Sequence, residues 1–270
     1  MKIGLMLTSS CNFQCRHCMV DSIRQESIAD RSVIERFYEI VRWNQPDMVC
    51  IVGGEPFLYL DVIEEIVGNL RAICHHFLIY SNGTFLLDEK KRERIKNLGV
   101  QVRISKTKFH KDFWNEEIEQ LINRSPYWKV DLMAEDIRIF PRGRALSNGV
   151  YQDQPCPCSL LTQKYHGHWH NDRFLIMQDG SVNIWCPCMS LELANVFEDQ
   201  MITHELLTKR EKSLREYLLS VNMLHDSMLF MCNEVCNRFK VTKNGISRDG
   251  ELMKNFLYID RDSWIVIHGL

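Results

Sequence analysis

No apolar run in this sequence is long enough to span a bilayer, and no signal-peptide core precedes its first cysteines. A membrane partner is therefore not expected, and a reduced, cytoplasmic setting is. Nor is there an excess of either charge: 33 basic and 35 acidic side chains leave a formal net charge of −2 and give no case for a nucleic-acid partner. The locally basic stretch Lys90-Lys91-Arg92-Glu93-Arg94 reads as a solvated helix face. Internal repeats and low-complexity tracts are also missing. What is present is a 45% apolar composition, which argues against disorder. The 270 residues suit one large domain, or a barrel with a small appendage. Eleven cysteines in a reducing compartment favour metal sites over disulfides.

Three of those thiols, Cys11, Cys15 and Cys18, fall within eight residues. Thiolates suit iron–sulfur clusters and zinc, and three ligands from one loop leave a fourth position open for chemistry. Zinc is the alternative, although closed zinc sites usually combine two separated Cys-x-x-Cys pairs. The strand-like stretch Lys2–Thr8 ends just before this loop, and active sites of βα barrels sit at that end of their strands. Two further apolar runs end in turn-forming residues. Met48–Val52 is closed by Gly53-Gly54-Glu55-Pro56, and Phe77–Tyr80 by Ser81-Asn82-Gly83-Thr84.

The C-x-x-x-C-x-x-C spacing, with the Gly-Gly-Glu-Pro and Ser-Asn-Gly turns in that order, resembles the radical SAM superfamily over roughly residues 1 to 145. The resemblance implies that Cys11, Cys15 and Cys18 hold a [4Fe–4S] cluster whose fourth iron binds S-adenosylmethionine. Gly53, Gly54 and Glu55 would contact the amino group of its methionine portion, and Ser81 and Asn82 would lie near the ribose. Ser105 becomes a candidate contact for the carboxylate, and His17 an aromatic packed near adenine. An external one-electron donor such as flavodoxin or ferredoxin is implied as a partner.

Periodicity fills in the fold. Helices are predicted over about Asp30–Trp43, Leu60–Cys74, Asp88–Leu98 and Lys111–Ile122, alternating with strands at Val100–Ser105 and Trp128–Met133. Such alternation implies an α/β fold with a parallel sheet. Only three residues separate the last strand from the apolar stretch Ile137–Phe140, too few for a crossover helix. The expectation is an abbreviated, partial βα (TIM-like) barrel, open on one side. Strand four also departs from the family pattern, since Lys106 and Lys108 follow Ser105; they could reach the barrel mouth or be solvated. Pro141-Arg142-Gly143-Arg144-Ala145 is similar to a "GRA" segment of many family members. It divides the chain into a core at 1–148 and a small Cys-rich α+β extension at 149–270.

That extension holds three close pairs: Cys156 and Cys158, Cys186 and Cys188, Cys232 and Cys236. The middle pair follows a hairpin signature with Asp179-Gly180 at its turn. The arrangement resembles the C-terminal auxiliary-cluster region of SPASM and twitch proteins, and implies one further [4Fe–4S] cluster. Its expected ligands are Cys156, Cys186, Cys232 and Cys236, with Cys158 and Cys188 as alternates; a structural zinc or free thiols are the rival readings. Cys158 and Cys188 are also candidate catalytic hydrogen-atom donors, because some peptide epimerases of this superfamily use a cysteine so. His166, His168 and His170 can bind a metal, or pack as a polar loop. Cys50 and Cys74 read as buried thiols. Amphipathic helices over about Ile202–Leu219 would cover the barrel, and short strands are expected near Tyr258 and Trp264–Ile267.

By resemblance the protein is an enzyme that cleaves S-adenosylmethionine reductively and abstracts hydrogen from a peptide or protein substrate, for epimerisation or cross-linking. Cys11 lies so near the start that no peptide-recognition domain is expected before it. Recruitment would fall to the barrel, the C-terminal region or a separate protein. A small-molecule substrate, such as a nucleoside or sugar derivative, is the enzymatic alternative. A non-catalytic iron–sulfur protein is the alternative of another class, in which the Gly-Gly-Glu-Pro turn would have no purpose.

Overall fold

In the structure, a computed structural model, residues 1–18, 20–106, 113–131, 143–150, 173–184 and 192–211 are described, with five strand segments between 239 and 268. The predicted alternation is present: β1 (Lys2–Thr8), α1 (Arg31–Asn44), β2 (Met48–Gly53), α2 (Leu60–Leu70) and β3 (Phe77–Ser81). Then follow α3 (Glu89–Leu98), β4 (Gln101–Ser105), α4 (Glu116–Asn123) and β5 (Trp128–Asp131). Local chemistry sets the ends. The Asp88 side chain accepts the Lys91 N–H at 3.1 Å and starts α3, and Gly99, at φ 64°, stops it in a conformation that costs glycine little.

The five strands form a parallel sheet in the order β5-β4-β3-β2-β1. Parallel strands are covered on both faces, which explains why Leu5, Leu7, Ile51 and Ile79 are all fully buried. One face of α1 (Val33, Phe37, Ile40, Val41) joins Phe57, Phe77 and Phe174 in the same core. Each such aromatic or large aliphatic side chain contributes about 1.5–3 kcal/mol on burial. The fold is thus the α/β, mostly parallel, partial barrel that the pattern implied.

The sheet continues on the other side of β1. There β6 (Arg173–Ile176) runs parallel to it, with Ile3 opposite Phe174 and Leu5 opposite Ile176. Next come β7 (Ser181–Ile184) and β8 (Glu192–Asn195), both antiparallel. The Asp179-Gly180 hairpin is therefore where it was predicted, but as part of the main sheet. Residues on both sides of position 148 share that sheet. Residues 204–211 are helical within the predicted covering segment.

Three expectations need amendment. Helix four begins at Glu116, not near Lys111, because the Asn115 side chain caps it by accepting the Ile118 N–H at 2.9 Å. Phe113 and Trp114 lie before the helix, ring against ring. The basic run on α3 is not only solvated, since Arg94 forms ion pairs with Asp61 and Glu64 of α2. Near the C-terminus, β12 (Phe256–Tyr258) and β13 (Val266–His268) match the predicted strands. A three-stranded meander was missed there: β9 (Phe239–Thr242), β10 (Gly245–Arg248) and β11 (Glu251–Leu252). Asn244-Gly245 is the hairpin signal that could have found it. Among the described residues no helix is long and apolar enough to cross a membrane.

Candidate functional site

Parallel pairing brings the C-terminal ends of β1 to β4 to one edge, where Thr8 faces Gly53 and Ser81 and Ser105 end their strands. The chain leaving β1 makes a long loop that returns beside itself. The Cys11 N–H donates to Ile23 O at 2.7 Å and the Ile23 N–H to Ser9 O at 2.9 Å. The Ser10 hydroxyl accepts the Ser27 N–H and donates to Gln25 O, each at 2.7 Å. The loop is thus pinned at both limbs by backbone bonds, with Cys11 buried and Cys15 and Cys18 half-buried at its turn.

The Gly-Gly-Glu turn seals the floor of this loop. Gly54 N–H donates to Thr8 O and Glu55 N–H to Ser10 O, both at 2.8 Å. A β-carbon on Gly53 would stand 2.2 Å from Thr8 O, and one on Gly54 2.2 Å from Ser10 O. The two glycines let the backbone of β2 press against the backbone of the cysteine loop. That is a role the reading from sequence, which assigned the close approach to a ligand, did not contain.

Glu55 is fully buried, and its carboxylate collects the neighbouring strand end. It accepts the Asn82 N–H at 2.7 Å, the Phe57 N–H at 3.1 Å and the Ser81 hydroxyl at 2.9 Å. Asn82 in turn donates its side-chain amide to Asn12 Oδ1 at 2.8 Å and towards Cys11 Sγ at 3.7 Å. Asn12 completes the ring by donating to Thr84 Oγ1 at 2.8 Å. The turn after β2, the turn after β3 and the cysteine loop are therefore one hydrogen-bonded unit. Asn12 and Thr84 belong to it; Thr84 closes the Ser-Asn-Gly turn already singled out, whereas no local signal in the sequence marks Asn12.

Burial pushes the Glu55 carboxyl up to about 7, against the donors from Asn82, Phe57 and Ser81, which favour its charged form. The folded carboxyl thus holds its proton more tightly than the unfolded one, whose value is near 4.5. Its contribution to stability falls as pH rises between those two values. The melting-temperature difference between the native chain and a Glu55→Gln variant should therefore shrink across that window and level off above it. A difference that stays constant with pH would contradict this.

The thiols carry related electrostatics. Burial pushes Cys11 up, and burial followed by the charges of Cys11 and Cys18 pushes Cys15 up to about 11. The Cys11 and Cys15 thiols resist becoming thiolates until a metal supplies opposite charge. N–H groups already face the sulfurs, with Phe13 to Cys11 and Ser22 to Cys18 both at 3.4 Å.

Of the remaining predicted residues, His17 is half-buried within the loop and Ser105 half-buried at the end of β4. Lys106 does not reach into the mouth. It forms an ion pair with Glu119 and stands 5.0 Å over the Trp114 ring. Cys50 and Cys74 are buried as expected, and burial holds the Cys50 thiol up to about 12. Cys156, Cys158, Cys186, Cys188, Cys232 and Cys236, the three histidines at 166, 168 and 170, Lys108, and the stretch Ile137–Phe140 all lie outside the described residues.

Residues 5–131, just under half of the chain, match the model of the radical SAM superfamily. Over those residues the chain is similar to the radical SAM superfamily. A GTP 3',8-cyclase from Listeria welshimeri is 32% identical over 117 residues, covering 41% of this chain and 34% of that protein. The chain thus spans about a third of the length of the curated relatives it matches first. Among solved structures, anSMEcpe with bound AdoMet and the Cp18Cys peptide aligns at TM-score 0.53 and 15% identity, over 84% of this chain and 85% of that one. BtrN in complex with AdoMet and 2-DOIA aligns at TM-score 0.51 and 19% identity, over 82% and 88%. Both share the fold of this chain.

The radical SAM family implies a [4Fe–4S] cluster and S-adenosylmethionine, and the donor set fits the cluster. Among the described residues no three His, Cys, Asp or Glu side chains converge closely enough for one metal ion. A cubane takes each thiolate on a separate iron, and three thiols from one loop supply three of its four positions and leave the fourth open.

Proposed function

We propose that this chain is a radical SAM enzyme acting on a peptide or protein. Cys11, Cys15 and Cys18 are the cluster ligands, and the turns at Gly53–Glu55 and Ser81–Asn82, with Ser105 and His17, line the place for the cofactor. When bound, cluster and cofactor supply reductive cleavage of S-adenosylmethionine and a 5′-deoxyadenosyl radical that takes hydrogen from the substrate. The observation that carries the reading is the hydrogen-bonded unit joining the cysteine loop to Gly54, Glu55 and Asn82. The residues hold and orient: Glu55 fixes the two turns, the glycines close the floor, and Asn82 and Phe13 direct N–H groups at Cys11.

The peptide substrate rests on the six C-terminal cysteines, read as a SPASM/twitch-like region with one auxiliary [4Fe–4S] cluster. The anSMEcpe complex is a precedent for a peptide held on this fold. A small-molecule substrate is the second reading, favoured by the match of the core to a GTP 3',8-cyclase.

Anaerobic reconstitution is the test. Two cubane clusters predict about eight irons per chain, with 5′-deoxyadenosine formed from S-adenosylmethionine under a strong reductant. Deuterium transfer into 5′-deoxyadenosine from labelled peptides supports the first substrate reading, and transfer only from labelled nucleotides or sugars supports the second. Iron binding without any 5′-deoxyadenosine would overturn the enzymatic proposal.

A further inference from the structure

The short helix α5 (Gly143–Ser147) and the residue after it lie across the cysteine loop and take four of its carbonyls. Arg144 Nε donates to Cys15 O at 3.2 Å, and Nη1 donates to Ser22 O and lies 3.5 Å from Asp21 Oδ1. Ala145 N–H donates to Cys18 O at 3.2 Å, and the Asn148 side-chain amide donates to Arg16 O at 3.1 Å. A segment more than a hundred residues downstream therefore binds the ligand loop at Cys15, Arg16, Cys18 and Ser22, whereas Gly54 and Glu55 hold it at Thr8 and Ser10.

One group in this contact has no match among the described residues. Nη2 of Arg144 is buried and has no hydrogen-bond partner, although an unpaired guanidinium donor in a buried place is costly. Nε of the same side chain already bonds the Cys15 carbonyl at 3.2 Å, so the guanidinium stands beside that ligand and favours its charged form. A cluster held by the three thiolates would be anionic and would supply sulfur acceptors for such a donor.

We propose that α5 is a clamp on the ligand loop and that Arg144 is a positioning residue whose free Nη2 donates to the cluster held by Cys11, Cys15 and Cys18. The inference rests on the cluster assignment made above. Its physical consequence is twofold. The four carbonyl bonds order the loop before any metal arrives, and the guanidinium charge stabilises the reduced, more negative cluster relative to the oxidised one. Charges and hydrogen bonds at cluster sulfur set the reduction potential in this way.

Two readouts test it. In the metal-free chain, hydrogen exchange at the amides of residues 15–22 should be about tenfold faster in Arg144→Gln than in the native protein. In the reconstituted protein, poised at the native midpoint, the ratio of reduced to oxidised cluster should fall about tenfold, about 59 mV for a one-electron couple. Arg144→Lys should recover part of the potential but not the protection, because it keeps the charge and loses the fork. Asn148→Ala should speed exchange and leave the potential unchanged. Native rates and native potential in Arg144→Gln overturn the proposal. If that variant does not fold by circular dichroism, native exchange in Asn148→Ala overturns the clamp instead. A native chain that binds no iron at the loop refutes the cluster assignment, while the exchange measurement still decides the clamp.

Discussion

Replacing Cys11, Cys15 and Cys18 together with alanine is expected to abolish 5′-deoxyadenosine formation, a fall of more than about a thousandfold, or ~4 kcal/mol in barrier. The reason is ligation and not folding. Cys15 and Cys18 are half-buried in a loop that backbone bonds from Ser9, Ile23, Gly54 and Glu55 hold in place, and none of those bonds uses a thiol. The variant should therefore keep its far-ultraviolet circular dichroism and most of its melting temperature while losing the absorption of one cluster. Cleavage of S-adenosylmethionine retained by the triple variant would refute the assignment of these residues.

Gly54→Ala is expected to damage the same site by another route. The new methyl group would meet Ser10 O at 2.2 Å and Ser9 O at 2.9 Å, and these are backbone atoms that cannot rotate away. Either β2 or the cysteine loop must shift, breaking the Gly54 and Glu55 amide bonds to Thr8 and Ser10. Overpacking of this kind costs about 3 kcal/mol or more, which lowers the melting temperature by roughly 6–12 °C in a chain of this size. Loss of iron retention should accompany it. Gly68→Ala is the control, because a β-carbon there meets nothing within 4 Å; in α2 it should be neutral or stabilising by about 0.5–1 kcal/mol. Equal melting of Gly54→Ala and the native chain would show that the two backbones do not press together as described.

How much of this was legible in the sequence depended on the range of the interaction. Helices α1 to α3 follow from apolar spacing and from signals such as Asp88 and Gly99, which act within a few residues. The predicted start of α4 near Lys111 takes in Phe113, which the structure places before the helix, although Asn115-Glu116-Glu117 is itself a start signal. The cysteine spacing and the two turns were visible as motifs, yet their connection was not. Glu55 binding Ser81 and Asn82, and Arg144 binding Cys15 and Ser22, join residues that no period relates. The glycines of the motif were read for a ligand, whereas the nearest crowding atoms belong to Thr8 and Ser10. The pairing of β6 with β1 was hidden for the same reason, since strand partners about 170 residues apart leave no local mark.

That last pairing has a consequence for biogenesis. Strand β1 emerges from the ribosome before the residues that cover its second edge, Arg173–Ile176, which follow roughly 9–34 s later at about 5–20 residues per second. During that interval a strand buried at Ile3, Leu5 and Leu7 presents unpaired backbone groups, which are a template for other chains. Shortening the protein to its first 148 residues would make the interval permanent. Such a fragment should aggregate, and coexpressing the hairpin of β6 and β7 as a separate peptide should reduce the aggregation by capping the exposed edge.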